Sequence, residues 1–210
     1  MDAAHPLAVV TPTLDGDVLT HLALADAAFT PGQLQRLMPH ATVAGVRRVL
    51  KRLTEQGVVT MSSAGVTARA YALNREHLAA DAIIELATQG PRLFARIEGR
   101  LGSWAEPAIY AAVFGSMARQ NATTSSDVDI FLVRSTESRD EVWLPQVEAL
   151  ESAVARWTGN DARAFVVDED RLAERGYARV LDDIVREGLF VAGDPVRLRR
   201  AMAQRERDRE

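Results

Sequence analysis

Apolar and polar positions alternate along the chain with two periods, helical in the first hundred residues and mixed thereafter. Between Asp17 and Ala28, Val18, Leu22 and Ala25 fall on one face at helical spacing, so a helix is expected there. Thr30-Pro31 is a start signal, threonine as N-cap and proline at the first helical position. It opens a short helix, Gly32 to Met38, that stops at Pro39. Thr42 caps a longer helix to about Gln56, and Gly57 sits where a C-cap glycine belongs. Val46, Val49, Leu50 and Leu53 form its apolar stripe, and Arg47, Arg48, Lys51 and Arg52 fall largely off that stripe. Val58-Val59-Thr60-Met61 and a run ending in Tyr71-Ala72-Leu73 read as two strands joined by a turn at Ser62-Ser63-Ala64-Gly65. Asn74 reads as the cap of a helix from Arg75 to Thr88, broken at Gly90-Pro91, with a second helix to about Arg100. Leu78, Ile83, Ile84, Leu93 and Ile97 are the expected core contacts of this helical stretch.

The pattern then changes. Ile109 to Phe114 is an apolar run of buried-strand type, and Ile130 to Val133 is a second. A helix from Glu141 to Trp157, a turn at Thr158-Gly159-Asn160 and a strand from Ala162 to Val167 follow. Helices are expected at Asp170 to Arg175 and Ala178 to Glu187. Asp194-Pro195 opens a charged tail that reads as a solvated helix running toward Glu210. There is no internal repeat. The fold class is α+β, with residues 1–75 as one domain, 76–102 as a helical connector and 103–210 as a second domain with a small mixed sheet.

Composition narrows the picture little. The 210 residues are 47% hydrophobic and 26% charged, ordinary for a soluble globular protein. No apolar run approaches the ~18 residues of a membrane span, and Met1 to Pro12 carries no basic segment followed by an apolar core. A cytoplasmic location without membrane association is the expectation. The absence of cysteine excludes disulfides, thiolate zinc sites and a cysteine nucleophile. The histidines, His5, His21, His40 and His77, show no metal-ligand spacing and read as surface or packing residues. The net charge is −4, yet residues 36–75 hold seven basic residues against one acid, a net +6. That asymmetry points to a polyanionic partner for the first domain.

Candidate chemistry lies between the two apolar runs of the second domain. Gly115-Ser116 follows the first run, and after ten intervening residues Asp127-Val128-Asp129 opens the second. Residues i and i+2 of a strand share a face, so the two carboxylates project side by side. They repel unless a cation sits between them, and hard oxygen ligands suit Mg²⁺. The Gly-Ser turn, leading into a helix start at Met117, offers backbone N–H groups to an anion. One half of the motif can hold phosphate and the other the metal that neutralises it.

These residues, in the wording GSMAR…SDVDIFLV, resemble the nucleotidyltransferase superfamily of the DNA polymerase β fold. They most resemble its minimal nucleotidyltransferase (MNT) branch, over roughly Ala108 to Gly193. The resemblance implies Asp127 and Asp129 as catalytic metal ligands for Mg²⁺ or Mn²⁺. It implies Gly115 and Ser116 as contacts to the β- and γ-phosphates of ATP or another nucleoside triphosphate, with Arg119 on the phosphate side. It also implies a third carboxylate on a later strand. The position expected for it falls near Arg163 or Ala164, neither of them acidic, and the flanking Asp161 and Asp168 are the acids that could substitute. Gln120 departs from the glycine that many MNT proteins carry after Ala-Arg.

The first domain resembles a winged helix-turn-helix, on its order of three helices and a hairpin and on the phrase VRRVLKRLTEQGVV. That resemblance implies double-stranded DNA as partner. Thr42, Ala44, Gly45, Arg47 and Arg48 would lie nearest base edges, and Lys51, Arg52 and Arg69 nearest phosphate. A protein-docking module with a solvated basic face is the competing reading. Winged-helix proteins often form homodimers, although no heptad here demands one.

Three functions stand open on this evidence. The first is a nucleotidyltransferase that moves a nucleoside monophosphate to a hydroxyl acceptor of open identity, a partner protein among the candidates, the MNT resemblance implying a HEPN-type partner. The second is a DNA-binding regulator or antitoxin whose nucleotide domain senses without chemistry. The third, a small-molecule modifier, is disfavoured by the winged helix.

Overall fold

The computed structural model describes residues 1–63 and 68–200, so the turn expected at Ser62-Ser63-Ala64-Gly65 and the tail beyond residue 200 lie wholly or partly outside the described residues. The chain forms two compact units, one of Ala4–Gly90 with Asp2, the other of Pro91 onward with Met1 and Ala3. The class is α+β, as patterned.

The first unit holds α1 (Leu14–Leu24), α2 (Pro31–Leu37), α3 (Val43–Glu55), the antiparallel strands β1 (Val59–Ser63) and β2 (Arg69–Leu73), and α4 (Ala80–Ala87). Both threonine caps act as the sequence says. Thr30 forms a reciprocal capping box with Gln33, and the Thr42 hydroxyl accepts from the Gly45 N–H at 3.1 Å. Val46, Leu50 and Leu53 of α3 pack with Val18, Leu22, Leu34 and Val59 in one core. Phe29 adds a backbone bridge to Tyr71, donating and accepting at 2.8 Å.

The helix expected from Arg75 starts five residues later, at Ala80. Asn74 is occupied elsewhere, because its side-chain amide donates to the Gly57 carbonyl at 2.9 Å and closes the base of the hairpin. The Arg75 guanidinium donates to the Ala25 carbonyl at 3.1 Å, satisfying the C-terminal end of α1. With 75–79 drawn into turns, Leu78 is fully exposed rather than a core contact. Helix α1 likewise runs earlier than its apolar spacing implied, Leu14 to Leu24 instead of Asp17 to Ala28.

The second unit begins in α5 (Gln89–Gly102). Pro91 lies in the first turn of this helix, where its missing N–H costs nothing, so Gly90-Pro91 belongs to the new helix and the break falls at Thr88. A four-stranded sheet follows, built from β3 (Tyr110–Phe114), β4 (Val128–Arg134), β5 (Ala162–Asp168) and β6 (Leu189–Gly193) in the order β5-β4-β3-β6. Strands β4 and β5 are parallel and the other pairs antiparallel. The helices are the four-residue α6 (Gly115–Ala118), α7 (Asp140–Thr158) and α8 (Ala178–Glu187). The helix expected at Asp170 to Arg175 is two 3₁₀ turns, Glu169–Arg171 and Arg175–Tyr177.

Ala111, Val113, Ile130 and Leu132 face α5 and α7, against Ile97, Trp143 and Leu150. Tyr110, Ala112, Phe131 and Val133 face Leu181 and Ile184 of α8. Strand β4 is thus buried on both sides, which is why its sequence is a continuous apolar run. Strand β6, which the sequence reading did not include, forms the edge of the sheet beside β3. Gly193 ends it at φ +94, where a Cβ would stand 2.3 Å from the Ile109 carbonyl.

In the first unit, Asp17 of α1 joins two histidines. His5 Nδ1 lies 2.6 Å from one carboxylate oxygen, and His40 Nε2, from the turn between α2 and α3, lies 2.9 Å from the other. The hydrogen bond that His5 donates to Asp17 raises the His5 pKa above its ordinary 6.5, while burial lowers that of His21. A raised histidine pKa stabilises the fold fully below 6.5, and the contribution is lost as pH climbs through the folded value. The melting-temperature gap between wild type and His5→Gln is therefore expected to be widest below pH 6.5 and to shrink above it. A gap independent of pH would show that the clamp is not electrostatic.

Candidate active site

The β3–β4 pairing sets Phe114 opposite Asp129, so the chain leaving β3 must turn directly against that carboxylate. Gly115 makes the turn at φ +70, a left-handed conformation that glycine adopts without penalty. A Cβ at Gly115 would stand 2.5 Å from Asp129 Oδ2, so a side chain there must displace the carboxylate. Ser116 continues into α6, and Gln120 follows at φ +56, the one non-glycine residue with positive φ among the described residues. The glycine that the family resemblance expects at that position has a physical reason. Glutamine there costs roughly 1 kcal/mol of backbone strain.

Asp127 and Asp129 precede and begin β4 on the face that further along carries Phe131 and Val133. Both are half-buried. Burial, then the neighbouring Asp127 charge, raises the Asp129 pKa above the usual carboxylate value, and Arg163 and Arg119 oppose that rise. The loop between the motif's halves is held by the buried Asn160, whose amide donates to the carbonyls of Thr123 at 2.9 Å and Ser126 at 2.7 Å. Sequence reading took Asn160 only as a turn residue, and no local signal distinguishes the two roles.

Parallel register sets Arg163 of β5 beside Asp129, and its guanidinium lies 3.1 Å from Asp127 Oδ2. A basic side chain thus stands where a third acid was sought. Asp168 registers with Arg134, five residues further along β5 and roughly 16 Å away at the strand rise, too far to join the pair. Asp161 is exposed one residue before the strand, its carbonyl accepting from the Val128 N–H at 2.8 Å.

A cleft of about 470 Å³ opens beside Gly115, lined also by Phe114, Arg119, Phe165, Arg179, Asp183 and Glu187. It falls within the ordinary range for a small-molecule site. Arg119 reaches it paired to Glu187 of α8 at 3.0 Å. Among the described residues no three His, Asp or Glu side chains are arranged to hold a metal. The donor set instead fits one hard divalent cation that takes its remaining ligands from phosphate and water.

The basic positions of the first unit are exposed along α3 and β2. Arg47, Lys51 and Arg69 line one cleft of about 590 Å³ with Tyr71 and Met61. Arg48 is exposed on α3. Arg52 is ion-paired to Asp15, Lys51 lies 3.8 Å from Glu55, and the Thr42 hydroxyl is engaged as a cap. These pairs reduce the charge available to a polyanion, leaving Arg47, Arg48 and Arg69 as its main carriers.

No protein-family model and no curated relative matches the sequence. Two solved structures are similar in chain path. One is a toxin-antitoxin crystallised with AMP-PNP, at a TM-score of 0.40 and 16% identity, over 54% of this chain and 84% of that one. The other is a mutant of the toxin-antitoxin MntA-HpeT, at 0.39 and 15%, with the same coverage of both chains. Similarity at this level describes a distant likeness of path and says nothing of the chemistry.

Gly115→Ala is expected to abolish nucleotide binding while the second unit stays folded, since the added methyl must push Asp129 aside. Binding of a fluorescent ATP analogue, with circular dichroism as the folding control, checks this. Unchanged affinity would remove Gly115 from the site.

Proposed function

We propose that this protein binds a nucleoside triphosphate with Mg²⁺ between Gly115-Ser116 and the Asp127/Asp129 pair, and transfers a nucleoside monophosphate to a hydroxyl acceptor. The observation that carries the reading is the packing of the Asp129 carboxylate beside Gly115, which turns at φ +70 with no side chain between them. Such a contact brings backbone N–H groups and carboxylates within reach of one polyphosphate. Asp127 and Asp129 would hold the cation, the Gly115 turn would hold the β- and γ-phosphates, and Arg119 would face the phosphates from the cleft. When bound, the cation offsets charge on the triphosphate and on the departing pyrophosphate. The acceptor hydroxyl attacks the α-phosphorus, the bond to the bridging oxygen breaks, and pyrophosphate leaves. The MNT resemblance of the motif makes a protein hydroxyl the acceptor class, with a HEPN-type protein the implied partner.

One observation favours a second reading. The side chain beside Asp129 on β5 is Arg163, which cannot act as a general base. A general base typically contributes about 10²–10⁴-fold, so binding would persist while transfer slows. In that case the nucleotide domain acts as a sensor coupled to DNA binding by the first unit.

Incubation with α-labelled ATP and Mg²⁺ in cell extract is expected to label a protein acceptor, and Asp127→Ala with Asp129→Ala to abolish the label. Nucleotide binding without label under any condition would favour the sensor. For the first unit, charge reversal at Arg47 and Arg48 is expected to weaken salt-sensitive binding to duplex DNA by at least tenfold, on the order expected for several lost phosphate or base contacts. Unchanged binding would refute α3 as the DNA-reading helix.

A further inference from the structure

Arg163 is a charged group at the carboxylate pair that the transfer reading above does not use. Its guanidinium contacts Asp127 Oδ2 at 3.1 Å, and its backbone registers with Asp129. Asp129 Oδ2 lies against Gly115. Asp127 therefore has one oxygen engaged by a guanidinium. The neighbouring guanidinium, Arg119, is held by Glu187, outside the pair. Among the described residues, Arg163 combines an ion pair to Asp127 with a backbone register beside Asp129.

We propose that Arg163 is a displaceable counter-cation. It holds Asp127 while the site is free of divalent cation, and it turns to the triphosphate when a cation–nucleotide complex enters. This rests on the nucleotide reading of the site. The Arg163 side chain is 70% exposed and Asp127 32%, so the ion pair is screened and readily broken. A guanidinium does not deprotonate at physiological pH. Once a divalent cation takes Asp127, the positive charge of Arg163 persists without its partner, beside an incoming polyphosphate. A planar fork of N–H donors matches phosphate oxygens two at a time. Arg163 is thus a positioning residue for the free site and a phosphate contact for the loaded one.

The two roles predict effects of opposite sign. Without nucleotide, Mn²⁺ titration followed by electron paramagnetic resonance should show Arg163→Gln binding the ion about 1.5- to fivefold more tightly than wild type, the range for a lost exposed ion pair. With Mg²⁺ and a non-hydrolysable ATP analogue, calorimetry should show the same variant binding about tenfold more weakly, the loss of a charge-assisted contact. Arg163→Lys should match wild type in the first titration and fall between the two in the second. A purely structural role would weaken both. Equal Mn²⁺ affinity in Arg163→Gln and wild type, or weakening in both titrations, overturns the proposal. Wild-type protein that fails to bind the analogue overturns the nucleotide reading itself. Analogue bound equally by wild type and Arg163→Gln overturns only the role of Arg163.

Discussion

The second unit depends on a single close approach, the Asp129 carboxylate against the backbone of Gly115. The β3–β4 register makes it by setting Phe114 opposite Asp129. Strand β4 can hold that register because it is buried on both faces, so a slip of one residue would move Asp129 and Asp127 into the core. Burial of the strand thus fixes the carboxylates at its end. That same burial raises the Asp129 pKa, so the hydrophobic constraint that sets the geometry also makes the charge costly. A cation at the pair would relieve that cost. Arg163 relieves part of it from the next strand.

The first unit is governed by a different balance. Its core is apolar and local, three helices closing on a hairpin, and its charge lies outside. Much of that charge is internally paired, Arg52 with Asp15 and Arg75 with the C-terminal end of α1. The net +6 of residues 36–75 therefore overstates what a partner meets. The His5–Asp17–His40 clamp joins the segment before α1 to the turn before α3, so the entry to the basic helix is held by two histidines on one carboxylate.

Reading the sequence by local rules succeeded where the signal was local. The threonine caps, the C-cap glycine and the α3 stripe each involve residues within one element or one turn. It failed where a side chain was recruited from a distance. Asn74 looked like a helix cap and instead closes the hairpin, which exposes Leu78. Leu189 to Gly193 carried no strand expectation and is an edge strand, its pairing partner lying some eighty residues earlier on β3.

Sequence by itself determined the α+β class, the order of most elements and the identity of the paired carboxylates. Periodicity, capping and the two-residue strand repeat are properties of neighbouring residues. Tertiary structure decided that Gly115 must be glycine for contact as well as for turn, that Asn160 holds the motif's loop, and that Arg163 rather than an acid flanks Asp129. Each of these follows from strand register, which is set by the packing of two buried faces across the sheet. No local pattern encodes which residue of β5 will stand beside which residue of β4.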